Sequence, residues 1–269
     1  MLKTRILTAL VLLPLMLAAL FYFPPDAWAG FSRLIVVLAL WEFSRMAGFG
    51  ELAKWSYLGG STLLAGVLWS AHYSMPLAGH ALALAFWLLA APCWLVKRWA
   101  IPRGGFAVLL GWVLMFPALV CFSGATPARL SNAAGLNLLA IMGLVWVADI
   151  TAYFSGKAFG RRKLAPSISP GKSWEGVYGA LVGVMLYTVL VNQLGWLSVS
   201  LPWWGVLLVA LPLTAVSIAG DLLESWFKRS AGIKDSSQLL PGHGGVYDRI
   251  DSLIAVLAVT NALRVLASL

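Results

Sequence analysis

The string GHGGVYDRID, residues 242–251, places a histidine, three glycines, two aspartates and an arginine in a chain otherwise poor in charge. Residue types of this kind could hold a hard divalent cation, or pair internally as salt bridges. Gly244-Gly245 permits close backbone approach or positive φ. Asp248 and Asp251 stand one turn apart if a helix starts there, and beside an acid from another helix they make a hard-oxygen site suited to Mg²⁺. His243 has no second His or Cys near it in sequence, which argues against zinc.

The chain has ten acidic residues. Asp26, Glu42 and Glu51 lie in the first half, near loops or ends of apolar runs. The rest are Asp149, Glu175, Asp221, Glu224, Asp235, Asp248 and Asp251. Asp149 and Asp221 fall within apolar runs, where an ionisable side chain is costly and usually functional. The spacing of Asp221, Glu224, Ser225 and Lys228 puts them on one helical face. Asp149, Tyr153, Gly156 and Lys157 nearly share another. Internal salt bridges between helices would also explain such faces, but each is followed by an unusual polar segment.

The first is GKAFGRRKLAPSISPGKSWEG, residues 156–176. Lys157, Arg161, Arg162, Lys163 and Lys172 stand there among Gly, Pro and Ser, a flexible cationic loop suited to phosphate. A solvated basic loop would explain the cations but not Ser169, Ser173 and Glu175. Ser173 with Gly176 also suits a helix start. The GKS at 171–173 does not make a P-loop, since that motif needs Gly at 166, which is Pro, and no strand is expected before it. The second segment is SWFKRSAGIKDSSQLLPGHGGVYDRIDS, residues 225–252, which contains the opening string.

The elements that position these residues follow from composition. Of 269 residues, 61% are hydrophobic and 11% charged, with fourteen tryptophans; a soluble domain carries about a quarter charged residues. The reading is an all-α polytopic membrane protein with spans near 6–23, 29–47, 57–74, 80–96, 105–123, 137–156, 176–194, 203–224 and 250–267. Backbone polar groups in lipid must be satisfied within each segment, hence helices. The alternating pattern of a β-barrel is not seen. With the N-terminus cytoplasmic, every Lys and Arg except Arg33, Arg129 and Arg264 lies in or beside a cytoplasmic segment, a strong positive-inside signal. The C-terminus is then outside. The net charge of +9 is thereby explained by topology and anionic lipid headgroups rather than by nucleic acid. Lys3, Arg5 and AWAG at 27–30 imitate a signal peptide, but the apolar run of about eighteen residues exceeds the usual 7–15, so an uncleaved first span is expected. Cys93 and Cys121 have no CxxC spacing and read as small core residues.

Ser225, Phe227, Lys228-Arg229, Lys234-Asp235, Ser237, Leu240-Pro241, His243-Gly244-Gly245-Val246 and Asp248-Arg249-Ile250-Asp251 together resemble the signature of the phosphatidate cytidylyltransferases, also called CDP-diglyceride synthases. No specified position departs from it. DITAYFSGKAFGRRKL and SPGKSWEG resemble that family's second shared block. The first five spans match only in general hydrophobicity.

The resemblance implies that CTP and phosphatidic acid give CDP-diacylglycerol and pyrophosphate with Mg²⁺, at the cytoplasmic surface of the inner membrane. It implies Asp221 and Asp248 as metal ligands, Asp251 as support, and Lys172 as a catalytic cation. Lys157, Arg161, Lys163, Lys228, Arg229 and Lys234 become candidates for CTP or phosphatidate phosphates, with Ser169 and Ser173 beside them. His243-Gly244-Gly245 becomes a close-approach loop and Arg249 a clamp. Asp149 is an orienter of a cation. Residues 1–130 form an N-terminal group of five spans and 131–269 a catalytic group of four. A homodimer is a further expectation from the family. The rival readings are a CTP-dependent kinase of a polyprenol or similar lipid alcohol, which would release CDP, and a membrane transporter. A transporter would favour inverted repeats and broken helices, which the sequence does not display.

Overall fold

The structure, a computed structural model, describes residues 2–124, 131–197 and 202–267. Arg129 lies outside the described residues, as do the side chains of Lys3 and Arg5. The helices in chain order are α1 (Leu2–Tyr22), α2 (Pro25–Met46), α3 (Glu51–Ser70) and α4 (Leu77–Ala85). A π-helical turn (Phe86–Ala90) carries α4 directly into α5 (Ala91–Lys97). Then come α6 (Gly105–Gly124), α7 (Ser131–Phe159), strands β1 (Lys163–Ala165) and β2 (Ser169–Ser173), α8 (Trp174–Gln193), α9 (Trp203–Ser230) and α10 (Tyr247–Ala267).

With α4 and α5 taken as one rod, the helices stand where the nine apolar runs stand in the sequence. Among the described residues, seven are long and apolar enough to cross a membrane. α3 falls short because Glu51, Lys54 and the Gly-Gly-Ser-Thr run at 59–62 dilute it, and α1 shows an apolar stretch, Leu10–Tyr22, among the residues whose side chains are described.

α10 sits at the centre of the bundle. It packs on α9, α6 and α4, with α7 and α2 touching it as well. Residues Ile254 through Val259 are all buried, as expected of a helix that is apolar around its whole circumference. Its crossing with α9 is close at the polar end. A Cβ on Gly220 would stand 2.7 Å from the Asp251 carbonyl oxygen, and Ser252 Oγ donates to the Ser217 carbonyl at 2.9 Å.

α7 and α8 approach through small residues, the usual means of bringing membrane helices together. A Cβ on Gly176 would stand 2.9 Å from the Ala152 carbonyl oxygen, one on Gly179 would overlap Ser155 Oγ, and one on Gly183 would meet Thr151 Cγ2 at 2.5 Å. This close pairing brings the polar ends of both helices to the segment that joins them.

That segment is a hairpin rather than the flexible loop expected from its Gly, Pro and Ser content. β1 and β2 are antiparallel, with Lys163 opposite Ser173 and Ala165 opposite Ser169, and Ile168 N–H donates to the Ala165 carbonyl at 3.1 Å in the turn. GKS lies inside β2, so a strand is present where none was expected. Tertiary contacts order it. The Glu175 carboxylate accepts from the Arg161 and Arg162 amides at 3.0 and 3.2 Å, and Arg229 Nε donates to the Ile168 carbonyl at 3.4 Å. Local composition cannot report contacts of that kind.

Candidate active site

α9 supplies the first group of acids. Their spacing does place Asp221, Glu224, Ser225 and Lys228 along one face: Ser225 Oγ donates to Asp221 Oδ1 at 3.3 Å, and Lys228 Nζ lies 2.6 Å from Glu224 Oε2. Lys172, reaching over from β2, sets its ammonium 2.5 Å from Asp221 Oδ2. The helix then ends in a reversal. Gly232 adopts φ +71, and Gly232 and Ile233 N–H donate to the Arg229 and Lys228 carbonyls at 3.1 and 2.9 Å, satisfying carbonyls left open at a helix C-terminus.

The chain returns through residues 231–246 to the first turn of α10. Leu240 N–H donates to the Gly244 carbonyl at 2.8 Å, and His243 N–H donates to the Leu240 carbonyl at 2.9 Å. This tight turn needs φ +84 at Gly244, where a Cβ would also stand 2.7 Å from Asp248 Oδ2. The glycine therefore meets both a conformational and a steric demand.

Asp248 is buried, and its two oxygens have different partners. Oδ2 accepts from Ser236 N–H at 2.9 Å, Ser236 Oγ at 2.8 Å and Gly245 N–H at 2.7 Å. Oδ1 faces the Lys228 ammonium at 2.5 Å. One oxygen thus organises the loop while the other meets a cation. Lys228 is shared by Asp248 and the fully buried Glu224. One turn along α10, Asp251 accepts from Ser252 N–H at 2.6 Å and lies within electrostatic reach of Asp221, Asp149 and Lys172.

Beside these acids a cavity of about 420 Å³ opens between α7, the hairpin, the start of α8 and α9. It lies within the range of about 300–1,000 Å³ common for small-molecule sites. Asp149, Tyr153, Gly156 and Lys157, the residues expected to share a face of α7, all line it, as do Ser169, Lys172, Ser173 and Asp221. The chemistry on offer is two carboxylates, Asp149 and Asp221, and two ammonium groups, Lys157 and Lys172, in a mainly apolar wall.

The other expected site residues take separate places. Ser173 Oγ caps α8 by accepting from Gly176 N–H at 3.2 Å. Arg229 is spent on the hairpin turn, as described above. Arg249 is exposed and interacts electrostatically with Asp149. Arg161, Lys163 and Lys234 are exposed near the same end of the bundle. His243 Nδ1 is buried and has no hydrogen-bond partner among the described residues.

Several contributors escaped sequence reasoning. Glu42 on α2 is fully buried and holds the loop before α10, with Ser236 and Ser237 as donors. Arg45 Nη1 donates to the Ser236 carbonyl at 3.3 Å, and Thr8 Oγ1 on α1 donates to the Pro241 carbonyl at 2.9 Å. A signal for Glu42 did exist: it is a carboxylate inside the apolar run 29–47, the same feature that singled out Asp149 and Asp221.

Comparison with known proteins bears on the chemistry. A model described as "Cytidylyltransferase family" matches residues 3–267. A phosphatidate cytidylyltransferase of Pseudomonas aeruginosa is 46% identical over 270 residues, covering 98% of this chain and 97% of the relative. One of Haemophilus influenzae is 37% identical over 96% of each chain. One of Brucella abortus biovar 1 is 35% identical over 96% of this chain and 91% of the relative.

Proposed function

The chain belongs to the cytidylyltransferase family, and from that premise we propose that it joins CTP to phosphatidic acid, giving CDP-diacylglycerol and pyrophosphate. It is a multi-pass membrane enzyme of the nucleotidyltransferase class. The observation that carries the reading at this site is the pairing of Lys172 with Asp221 and of Lys228 with Asp248, beside a cavity wide enough for a ligand.

In the reaction, an oxygen of the lipid phosphate attacks the α-phosphorus of CTP, and the bond from that phosphorus to the bridging oxygen of pyrophosphate breaks. The nucleophile is already anionic near neutral pH, since second ionisations of such phosphates fall near pH ~6. No strong base is needed. The obstacle is the approach of two anions, so the protein must supply positive charge and fixed geometry.

The carboxylates offer the donor type a divalent ion takes, although among the described residues no three His, Cys, Asp or Glu side chains are gathered into a metal-binding group. Asp221 Oδ2 and Asp248 Oδ1 each face an ammonium group, and carboxylate oxygens are the hard donors Mg²⁺ prefers. Asp221 and Asp248 would hold the ion, with Asp251 in support. Bound Mg²⁺ would supply charge neutralisation on phosphate oxygens. Lys172 and Lys228, turned from their carboxylates, would donate to phosphate oxygens. Lys157 at the cavity edge would bind the same groups, with the exposed Arg161, Lys163 and Lys234 attracting them. Asp149 would orient Lys172 and Arg249, its electrostatic partners. The apolar wall and the exposed Tyr153, Phe154 and Tyr178 suit a lipid whose acyl chains stay in the bilayer. In this reading the site faces the cytoplasm across the inner membrane, which agrees with the charge bias of the sequence and with access to CTP.

Pyrophosphate release by the purified protein tests the reading. Release should require CTP, phosphatidate and Mg²⁺ together and should match CDP-lipid formed. Protein that is folded yet silent under all three would overturn it.

A further inference from the structure

The loop and helix turn that carry His243, Gly244 and Asp248 are fixed by a side chain from the far end of the sequence. Glu42, on α2, is fully buried. Its Oε1 accepts from Ser237 Oγ at 2.6 Å and Val246 N–H at 2.9 Å. Its Oε2 accepts from Tyr247 N–H at 2.6 Å and Ser236 Oγ at 3.0 Å. Val246 and Tyr247 stand at the start of α10, where amides have no carbonyl partner within the helix. Glu42 therefore caps α10 from another helix, with its negative charge at the positive end of the dipole.

The fit at this point is close. A Cβ on Gly245 would overlap both Ser236 Oγ and Glu42 Oε1. The Ser236 hydroxyl lies 3.0 Å from Glu42 Oε2 and 2.8 Å from Asp248 Oδ2, so its single proton is shared between the two carboxylates. The two carboxylates thus grip the same short segment from opposite sides. Glu42 does not line the cavity between α7 and α9, and all four of its donors belong to residues 236–247.

We propose that Glu42 is a positioning residue for cytidylyl transfer: by holding residues 236–247 it sets where Asp248 presents Oδ1, the oxygen that meets Lys228, and so couples α2 to the site. The inference rests on the reaction assigned above. It requires a carboxylate rather than merely a polar group. Glutamine at position 42 has one acceptor oxygen, and either orientation turns its NH₂ toward a backbone N–H, of Val246 or of Tyr247. The serine hydroxyls can rotate to accept, but the amides cannot.

The experiment compares wild type with Glu42→Gln, Glu42→Asp and Ser237→Ala in detergent. It measures steady-state kinetics with CTP and phosphatidate, thermal unfolding, and amide hydrogen exchange of peptides spanning 236–247 and α7–α8. In Glu42→Gln, kcat should fall by about tenfold or more while KM for CTP stays within about threefold, the split expected when positioning rather than binding is lost. Exchange should accelerate in 236–247 and not in α7–α8. Glu42→Asp, which keeps the charge, should recover part of kcat.

A folded Glu42→Gln protein with wild-type kcat and wild-type loop exchange would overturn the proposal. So would a loss of activity accompanied by faster exchange throughout α7–α8, since that marks general destabilisation. If Glu42→Gln does not fold, Ser237→Ala decides: lower kcat with local exchange supports the proposal, and unchanged values of both refute it. Wild-type protein that forms no CDP-lipid would refute the assigned reaction instead. Exchange in 236–247 needs no substrate and would still report whether Glu42 holds the loop.

Discussion

Asp248 shows how a single carboxylate can belong to both structure and chemistry. Three donors fix Oδ2, and Oδ1 meets the Lys228 ammonium. Asp248→Asn retains an acceptor for the loop but turns an NH₂ toward Lys228. Turnover should drop roughly 100-fold, the upper range for one charged hydrogen bond, while Glu224 keeps Lys228 paired and the protein folded. Lys228→Met should behave differently. It leaves Glu224 and Asp248, both buried, without their shared cation, and stranding a buried charge costs about 3–5 kcal/mol. Thermal unfolding in detergent should therefore rank Lys228→Met well below Asp248→Asn. Lys172 is a quarter exposed, so Lys172→Ala should leave folded yield near normal and lower kcat/KM by about tenfold. Unchanged kinetics for Lys172→Ala would reduce that residue to a contributor of topology alone.

At the scale of elements, the hairpin depends on how closely α7 and α8 approach. Gly179 and Gly183 face Ser155 and Thr151 without room for a Cβ. Gly183→Leu should lower stability by about 1–3 kcal/mol, the usual effect of overpacking. Because β2 runs straight into α8, it should also shift Lys172 away from Asp221. Loss of activity beyond the loss of folded protein would reveal that shift, and full activity per folded molecule would argue against it. Much of this level was legible in advance. Apolar runs predict helices because lipid leaves the backbone no other partner, and the i, i+3, i+4, i+7 spacing put Asp221, Glu224, Ser225 and Lys228 on one face. The hairpin was not legible, since Gly, Pro and Ser predict flexibility locally and the order comes from Glu175 and Arg229. Glu42 was legible as an acid inside an apolar run but its partners were not, since its four donors lie some two hundred positions away.

At the scale of the whole molecule, the first six helices do more than surround the site. α2 and α6 pack on α10, while Thr8, Glu42 and Arg45 hold the loop that precedes it. Family likeness over nearly the whole chain accords with that involvement. Orientation can be checked with Gln238→Cys and Ser74→Cys, both at exposed positions, in a background lacking Cys93 and Cys121. The charge asymmetry predicts labelling from opposite faces, with position 238 reached from the cytoplasm; labelling from one face would remove the predicted topology. The most direct measurement follows the phosphorus atoms of CTP. Purified protein with phosphatidate and Mg²⁺ should place label from the α-phosphate of CTP in the lipid and release label from the γ-phosphate as pyrophosphate. Transfer of the γ-label to a lipid, with CDP left behind, would contradict attack at the α-phosphorus and identify a kinase.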